Sequence, residues 1–205
     1  MTADDPLSDA TPIDMPAAGA AQARVFAGLK IEDEVVRSLA EIARPLECCG
    51  ARLVPKTGIH LTLVPPWNAG GIASAVETLR IVASRFNHFS LILEHLEYRP
   101  RLRRPRLLWA RCLASSELKE LQMALMAAYG RTDTRPFQPH VTLARIPQRA
   151  RAFARKHPND QPLSLTQCVA SVELYQSPPK GQSGYRVLAS LPLGAGQASE
   201  PLGQL

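Results

Sequence analysis

Two short segments constrain this chain more than anything else in it. Gly58-Ile59-His60-Leu61-Thr62-Leu63-Val64 and Phe137-Gln138-Pro139-His140-Val141-Thr142-Leu143-Ala144-Arg145 both contain His-x-Thr-Leu. Their histidines, at positions 60 and 140, stand 80 positions apart. Successive side chains of a strand point to opposite faces, so His and Thr, two apart, share one face. Leu61 and Leu63, like Val141 and Leu143, point the other way, towards a core. Each copy therefore reads as a half-buried strand that shows an imidazole and a hydroxyl to something polar. If the two strands face each other, two imidazoles and two hydroxyls converge. That set suits a phosphodiester. One imidazole takes a proton, the other gives one, and the hydroxyls hold non-bridging oxygens.

The flanking patterns predict alternating helices and strands. Residues 1–22 are rich in Ala, Pro, Thr and Asp without periodicity, which predicts a disordered tail. Arg24 to Lys30 alternates as a first strand, and Ile31 to Leu46 reads as a helix with Val35, Leu39, Ile42, Ala43 and Leu46 on its apolar stripe. Ala51 to Val54 is a short strand ahead of the first motif. Pro65-Pro66 is expected to end the motif strand, because proline lacks the ladder donor. A second helix carries Ile72, Ala75, Val76, Leu79, Ala83 and Phe86. Strands follow over His88 to Tyr98 and Arg106 to Leu113, joined by an arginine-rich loop. Ser115 or Ser116 caps a third helix that stops at Gly130. After the second motif, a short basic helix spans Gln148 to Lys156. Two closing strands cover Ser164 to Gln176 and Tyr185 to Leu193, and 194–205 reads as a tail.

The order of elements repeats loosely around each motif. This predicts an α+β, bilobal domain over 23–193. Two pseudo-symmetric lobes of antiparallel sheet with flanking helices enclose a cleft, and each lobe contributes one histidine. At 205 residues with 45% hydrophobic and 20% charged, the chain is long enough to bury such a core. No apolar run is long enough to span a membrane. The acidic start, Asp4, Asp5, Asp9 and Asp14 without Lys or Arg before residue 24, is not a secretory leader. Four cysteines, two of them the neighbours Cys48 and Cys49, fit a reducing cytoplasm in which they pack as small apolar groups. The formal charge of +6 favours an anionic partner.

These segments, together with Arg24-Val25-Phe26-Ala27-Gly28-Leu29, Arg104-Pro105-Arg106-Leu107-Leu108-Trp109 and Leu174-Tyr175-Gln176-Ser177 with Gly184-Tyr185, resemble the two-histidine phosphoesterase superfamily. The likeness is greatest to its RNA 2′,3′-cyclic phosphodiesterases, also called 2′-5′ RNA ligases. The resemblance implies that His60, Thr62, His140 and Thr142 line the cleft. It implies hydrolysis of a terminal ribose 2′,3′-cyclic phosphate to a 2′-phosphomonoester, with no metal and no other cofactor. ATP-independent 2′-5′ ligation would be the reverse chemistry. We expect a monomer acting on RNA with a 2′,3′-cyclic phosphate end, tRNA fragments among the candidates, and no membrane partner.

Either histidine can be the base and the other the acid; the residues leave this open. Arg145 lies three residues beyond Thr142, on the opposite face of an ideal strand, so it reaches a phosphate only if the strand ends or bulges at Ala144. Phe137 or Trp67 is a candidate to stack an unpaired base. Arg101, Arg103 and Arg104 read either as a solvated loop or as a clamp on the RNA backbone, and Arg131, Arg135, Arg149, Arg151 and Arg155 could extend that surface. His88, His95 and His157 lack the motif and read as structural or surface residues. One alternative keeps the chemistry and changes the substrate to a small cyclic nucleotide or a 2′-5′ oligonucleotide. Another is a non-catalytic protein that binds RNA ends.

Overall fold

In the computed structural model the described residues are 23–101, 103–156, 161–179 and 184–194. The expected tails over 1–22 and 195–205, His157 and the centre of the last turn lie outside them. The elements run β1 (Ala23–Lys30), α1 (Asp33–Ala43), β2 (Arg52–Leu53), β3 (His60–Ala69), α2 (Ile72–Ala83), β4 (Phe89–Arg99), β5 (Leu107–Cys112), α3 (Ser116–Ala128), β6 (His140–Arg145), α4 (Arg151–Lys156), β7 (Gln161–Val169), β8 (Ser171–Gln176) and β9 (Arg186–Pro192). The strands form one antiparallel sheet in the order β7-β4-β5-β6-β3-β1-β8-β9, with β2 added beside β6. It divides into two four-stranded lobes that meet at β6 and β3, and each carries one His-x-Thr strand at that junction. α1 lies against β6 and β7, α2 against β8 and β9, and α3 against β3.

The halves of the chain exchange their ends. β4 leaves the half that holds β1 and β3 to pair with β5, while β8 leaves the other half to pair with β1. The core follows from strand alternation. Val25, Ala27, Leu29, Leu61, Leu63, Leu108, Ala110, Val141 and Leu174 are all at most 1% exposed and face the helices. Burying a side chain of Val or Leu size contributes about 1.5–3 kcal/mol.

Local rules explain most boundaries. Ser115 caps α3, its hydroxyl accepting from the Leu118 amide at 3.2 Å. Gly130 ends the helix at a φ of 59°. α1 is shorter than its apolar stripe predicts. From Arg44 the chain tightens into a 3₁₀ turn with Pro45 at its start, yet Leu46 is still buried.

Four further expectations change. β3 runs on through Pro65 and Pro66 to Ala69. Val64 pairs with Ala27 and Trp67 with Val25, so both prolines lie opposite Phe26 alone, in a bulge that needs no ladder donors from them. The expected strand over 164–176 is two strands, because β7 pairs with β4 and β8 with β1, with a crossing at Ala170. Gly194, placed in the tail, bridges to Asn87. The cysteines are free thiols, but only Cys112 is buried, where burial pushes its thiol up to about 12; Cys48 and Cys168 are exposed.

Gly28 pairs with Thr62 across β1 and β3, and a Cβ there would lie 2.5 Å from the Leu61 carbonyl oxygen. Gly28→Ala must spread the two strands, and overpacking of this kind costs about 1–3 kcal/mol. A urea midpoint equal to that of the parent would refute the close approach.

Candidate active site

Leu61 of β3 pairs with Val141 of β6. Antiparallel geometry then sets His60 across from Thr142 and Thr62 across from His140, on the face away from the helices. All four side chains are half-buried. The two imidazoles are near enough for the charge on His140 to act on His60.

Each ring is locked in the same way. His60 Nδ1 lies 2.8 Å from the Gly58 carbonyl, and His140 Nδ1 lies 2.7 Å from the Gln138 carbonyl. A carbonyl only accepts, so each Nδ1 carries the hydrogen, and in the neutral ring Nε2 is left with its lone pair. Burial pushes His60 below its usual range; the Gly58 carbonyl opposes this and His140 adds to it. Burial also lowers His140, with the Gln138 carbonyl raising it, Arg99 lowering it and Glu97 raising it.

The surroundings of the two rings differ. Phe26, Tyr185 and Tyr175 wall His60, with ring centroids 4.8, 4.9 and 5.5 Å away. His140 stacks on Trp109 at 3.4 Å and 15°. The motifs alone give these aromatics no role. A usable signal was present, since Phe26 stands between Val25 and Ala27 and Trp109 between Leu108 and Ala110, each a large aromatic on the polar face of an alternating strand.

Arg145 is on the cleft face. Leu108 pairs with Ala144 and Trp109 with Thr142, so Leu143 is the extra residue of a bulge. The alternation resets there, and Arg145, opposite Leu107, emerges exposed on the face of Trp109 and Thr142. Arg101, Arg103 and Arg104 are exposed at the tip of the β4–β5 hairpin. Phe137 packs against the core, and Trp67 does so beside Tyr129, 4.5 Å away on the helix side. Arg135 is paired to Asp133 at 2.7 Å. His88 is exposed and His95 lies half-buried on β4. Among the described residues no three His, Cys, Asp or Glu side chains gather closely enough to hold a metal ion. A concavity of about 320 Å³ lies apart from the four motif residues, beside the β1–α1 junction and the β7–β8 crossing.

Two lobes of one antiparallel sheet, each with a His-x-Thr strand at the junction, define the LigT-type two-lobed fold. The chain belongs to the 2′-5′ RNA ligase superfamily, whose sequence pattern matches residues 31–177. It is 31% identical over 159 residues to an RNA 2′,3′-cyclic phosphodiesterase of Geobacillus stearothermophilus, a match that covers 71% of this chain and 50% of that protein. The chain thus spans about half the length of that relative. Among solved structures it is similar to TT0787 of Thermus thermophilus, with a TM-score of 0.69, 23% identity, and coverage of 84% of this chain and 98% of that one. E. coli LigT complexed with phosphate superposes with a TM-score of 0.62 at 21% identity over 84% of this chain and 98% of that one. No helix among the described residues is long and apolar enough to cross a membrane.

Proposed function

We propose that this protein opens the 2′,3′-cyclic phosphate at an RNA end to a 2′-phosphomonoester, using His60 and His140 as an acid–base pair and no metal. The observation that carries this reading is the paired Nδ1 locks, which leave both Nε2 atoms free on one face of adjoining strands. One neutral imidazole takes a proton from water as the water oxygen bonds to phosphorus. The other, as imidazolium, gives its proton to O3′ as the P–O3′ bond breaks. Thr62 and Thr142 donate to the non-bridging oxygens, and Arg145 offsets the charge that builds on them. With an RNA 5′-hydroxyl in place of water, the same displacement forms a 2′-5′ bond without ATP. The name of the Geobacillus relative supports the substrate class.

The test is turnover of a cyclic-phosphate-ended RNA, with the 2′- and 3′-monophosphate products resolved. We expect the 2′ product, at a rate that EDTA leaves unchanged. No turnover, or loss of turnover in EDTA, overturns the reading. A small cyclic nucleotide in the same assay separates RNA from simpler substrates.

The exposed Arg101, Arg103 and Arg104 are proposed to follow the RNA backbone. Changing all three to Gln should flatten the dependence of log K on log salt by up to about 2, at roughly 0.7 for each phosphate of a single strand that is no longer neutralised. An unaltered slope assigns them to a solvated loop.

A further inference from the structure

We propose that Arg99 and Trp109, neither of them in a His-x-Thr motif, are positioning residues that clamp His140 through a closed ring of contacts and set it apart from His60. The ring can be followed atom by atom. His140 Nδ1 donates to the Gln138 carbonyl at 2.7 Å. The Gln138 side-chain oxygen accepts from the Arg99 guanidinium at 2.5 Å. The same guanidinium carbon lies over the Trp109 indole, 5.1 Å from its centroid. The indole closes the circuit by stacking on the His140 ring at 3.4 Å. Movement of any one member therefore disturbs its neighbours on both sides.

The strands explain why these residues meet. Arg99 and Glu97 sit on β4 opposite Leu107 and Trp109 of β5, and Trp109 sits opposite Thr142 of β6. Three adjacent strands thus bring a cation, an indole and an imidazole to one face. Trp109 Nε1 is buried and has no hydrogen-bond partner among the described residues, so the indole is held by stacking rather than by its polar atom. On the other lobe His60 is walled by Phe26, Tyr175 and Tyr185. Two motifs with the same local lock therefore hold rings in unlike settings. Guanidinium charge opposes the imidazolium of His140, and Glu97, 3.8 Å from Arg99, opposes that effect. Among the described residues, the other charged or titratable groups on this face are Arg111, the cross-strand neighbour of His140, which is paired to Glu94 at 3.0 Å, His95 opposite Arg111, His60, and Arg145 at the far end of β6. None of these is altered in Arg99→Met, Trp109→Leu or Trp109→Phe.

The proposal stands on the ring geometry, and only its kinetic arm rests on the activity proposed above. Ring Cε1–Hε1 NMR signals, assigned with His60→Ala and His140→Ala, give each imidazole's titration midpoint in the free protein. In Arg99→Met the His140 midpoint should rise, because a cation is lost and Glu97 remains, while the His60 midpoint does not rise with it, since charge on His140 lowers His60. Trp109→Leu should also raise it, by relieving burial, and Trp109→Phe should restore the parent value. In the RNA assay, kcat should fall about 10- to 100-fold in Arg99→Met and Trp109→Leu, with KM little changed, as expected when a reacting group is misplaced by about an ångström. Trp109→Phe should recover most of that loss. If Trp109→Leu does not fold, Arg99→Met at the surface carries the test. An unmoved His140 midpoint in Arg99→Met, or equal movement of both histidines, overturns the proposal. Absence of turnover in the parent protein would instead defeat the proposed activity and leave the NMR test standing.

Discussion

Alanine at either His60 or His140 should lower turnover of a cyclic-phosphate-ended RNA by about 100- to 10,000-fold, because each positioned acid or base contributes on that scale. The two single variants should lose comparable amounts, and the double variant should lose less than their product, since the pair acts on one reacting centre. Near-parental activity in either single variant would defeat the two-imidazole mechanism. The same pair sets the pH profile. Burial pushes both imidazoles below their ordinary value of about 6.5. The base must be neutral and the acid charged, so kcat/KM, which reports the free protein, should peak below about pH 6.5. A bound phosphate favours both imidazoliums, so the kcat profile should lie at higher pH. A kcat/KM optimum well above pH 7 would contradict the burial argument. For stability the sign is clear. Groups lowered on folding take up protons more readily when unfolded, so their contribution is full above about pH 6.5 and declines as pH falls through the lowered values.

Glu173→Ala should destabilise the protein by about 1–3 kcal/mol, the scale of taking the shared acceptor from part-buried donors. Glu173 is 1% exposed and sits opposite Gly28, on the cleft face. One carboxylate oxygen accepts from the Lys30 amide at 2.8 Å, and the other from Ser171 Oγ at 2.6 Å and Ser190 Oγ at 3.1 Å. Removing it takes the shared acceptor from the Lys30 amide and the two serine hydroxyls and frees the end of β1 where Lys30 pairs with His60. Glu173→Gln, which keeps one acceptor oxygen, should recover part of the loss. A urea midpoint unchanged in Glu173→Ala would show that the cluster is replaced by water without cost.

Much of the candidate site's arrangement was readable from spacing alone. A period of two puts His60 with Thr62 and His140 with Thr142, whatever the partners are, and Ser115 announces α3 by its own side-chain chemistry. What escaped depends on the neighbouring strand. Pro65 and Pro66 look like a stop until the register shows them sharing Phe26 as their opposite residue. Arg145 looks misplaced until Leu143 is seen to be the extra residue opposite β5. The break at Ala170 follows from which strand each flank pairs with, over separations that no local pattern reports. Trp109 comes to lie on His140 only when β5 and β6 are set side by side.

The traded strands carry a lesson for anyone wishing to dissect this molecule. A fragment ending at the arginine hairpin would own β1 without β8 and β4 without β5 or β7. Its bare backbone rims would invite a second fragment to supply what is missing. Complementing pieces, or intertwined twins, are therefore the expected fate of a severed half, and neither lobe should survive as a freestanding module.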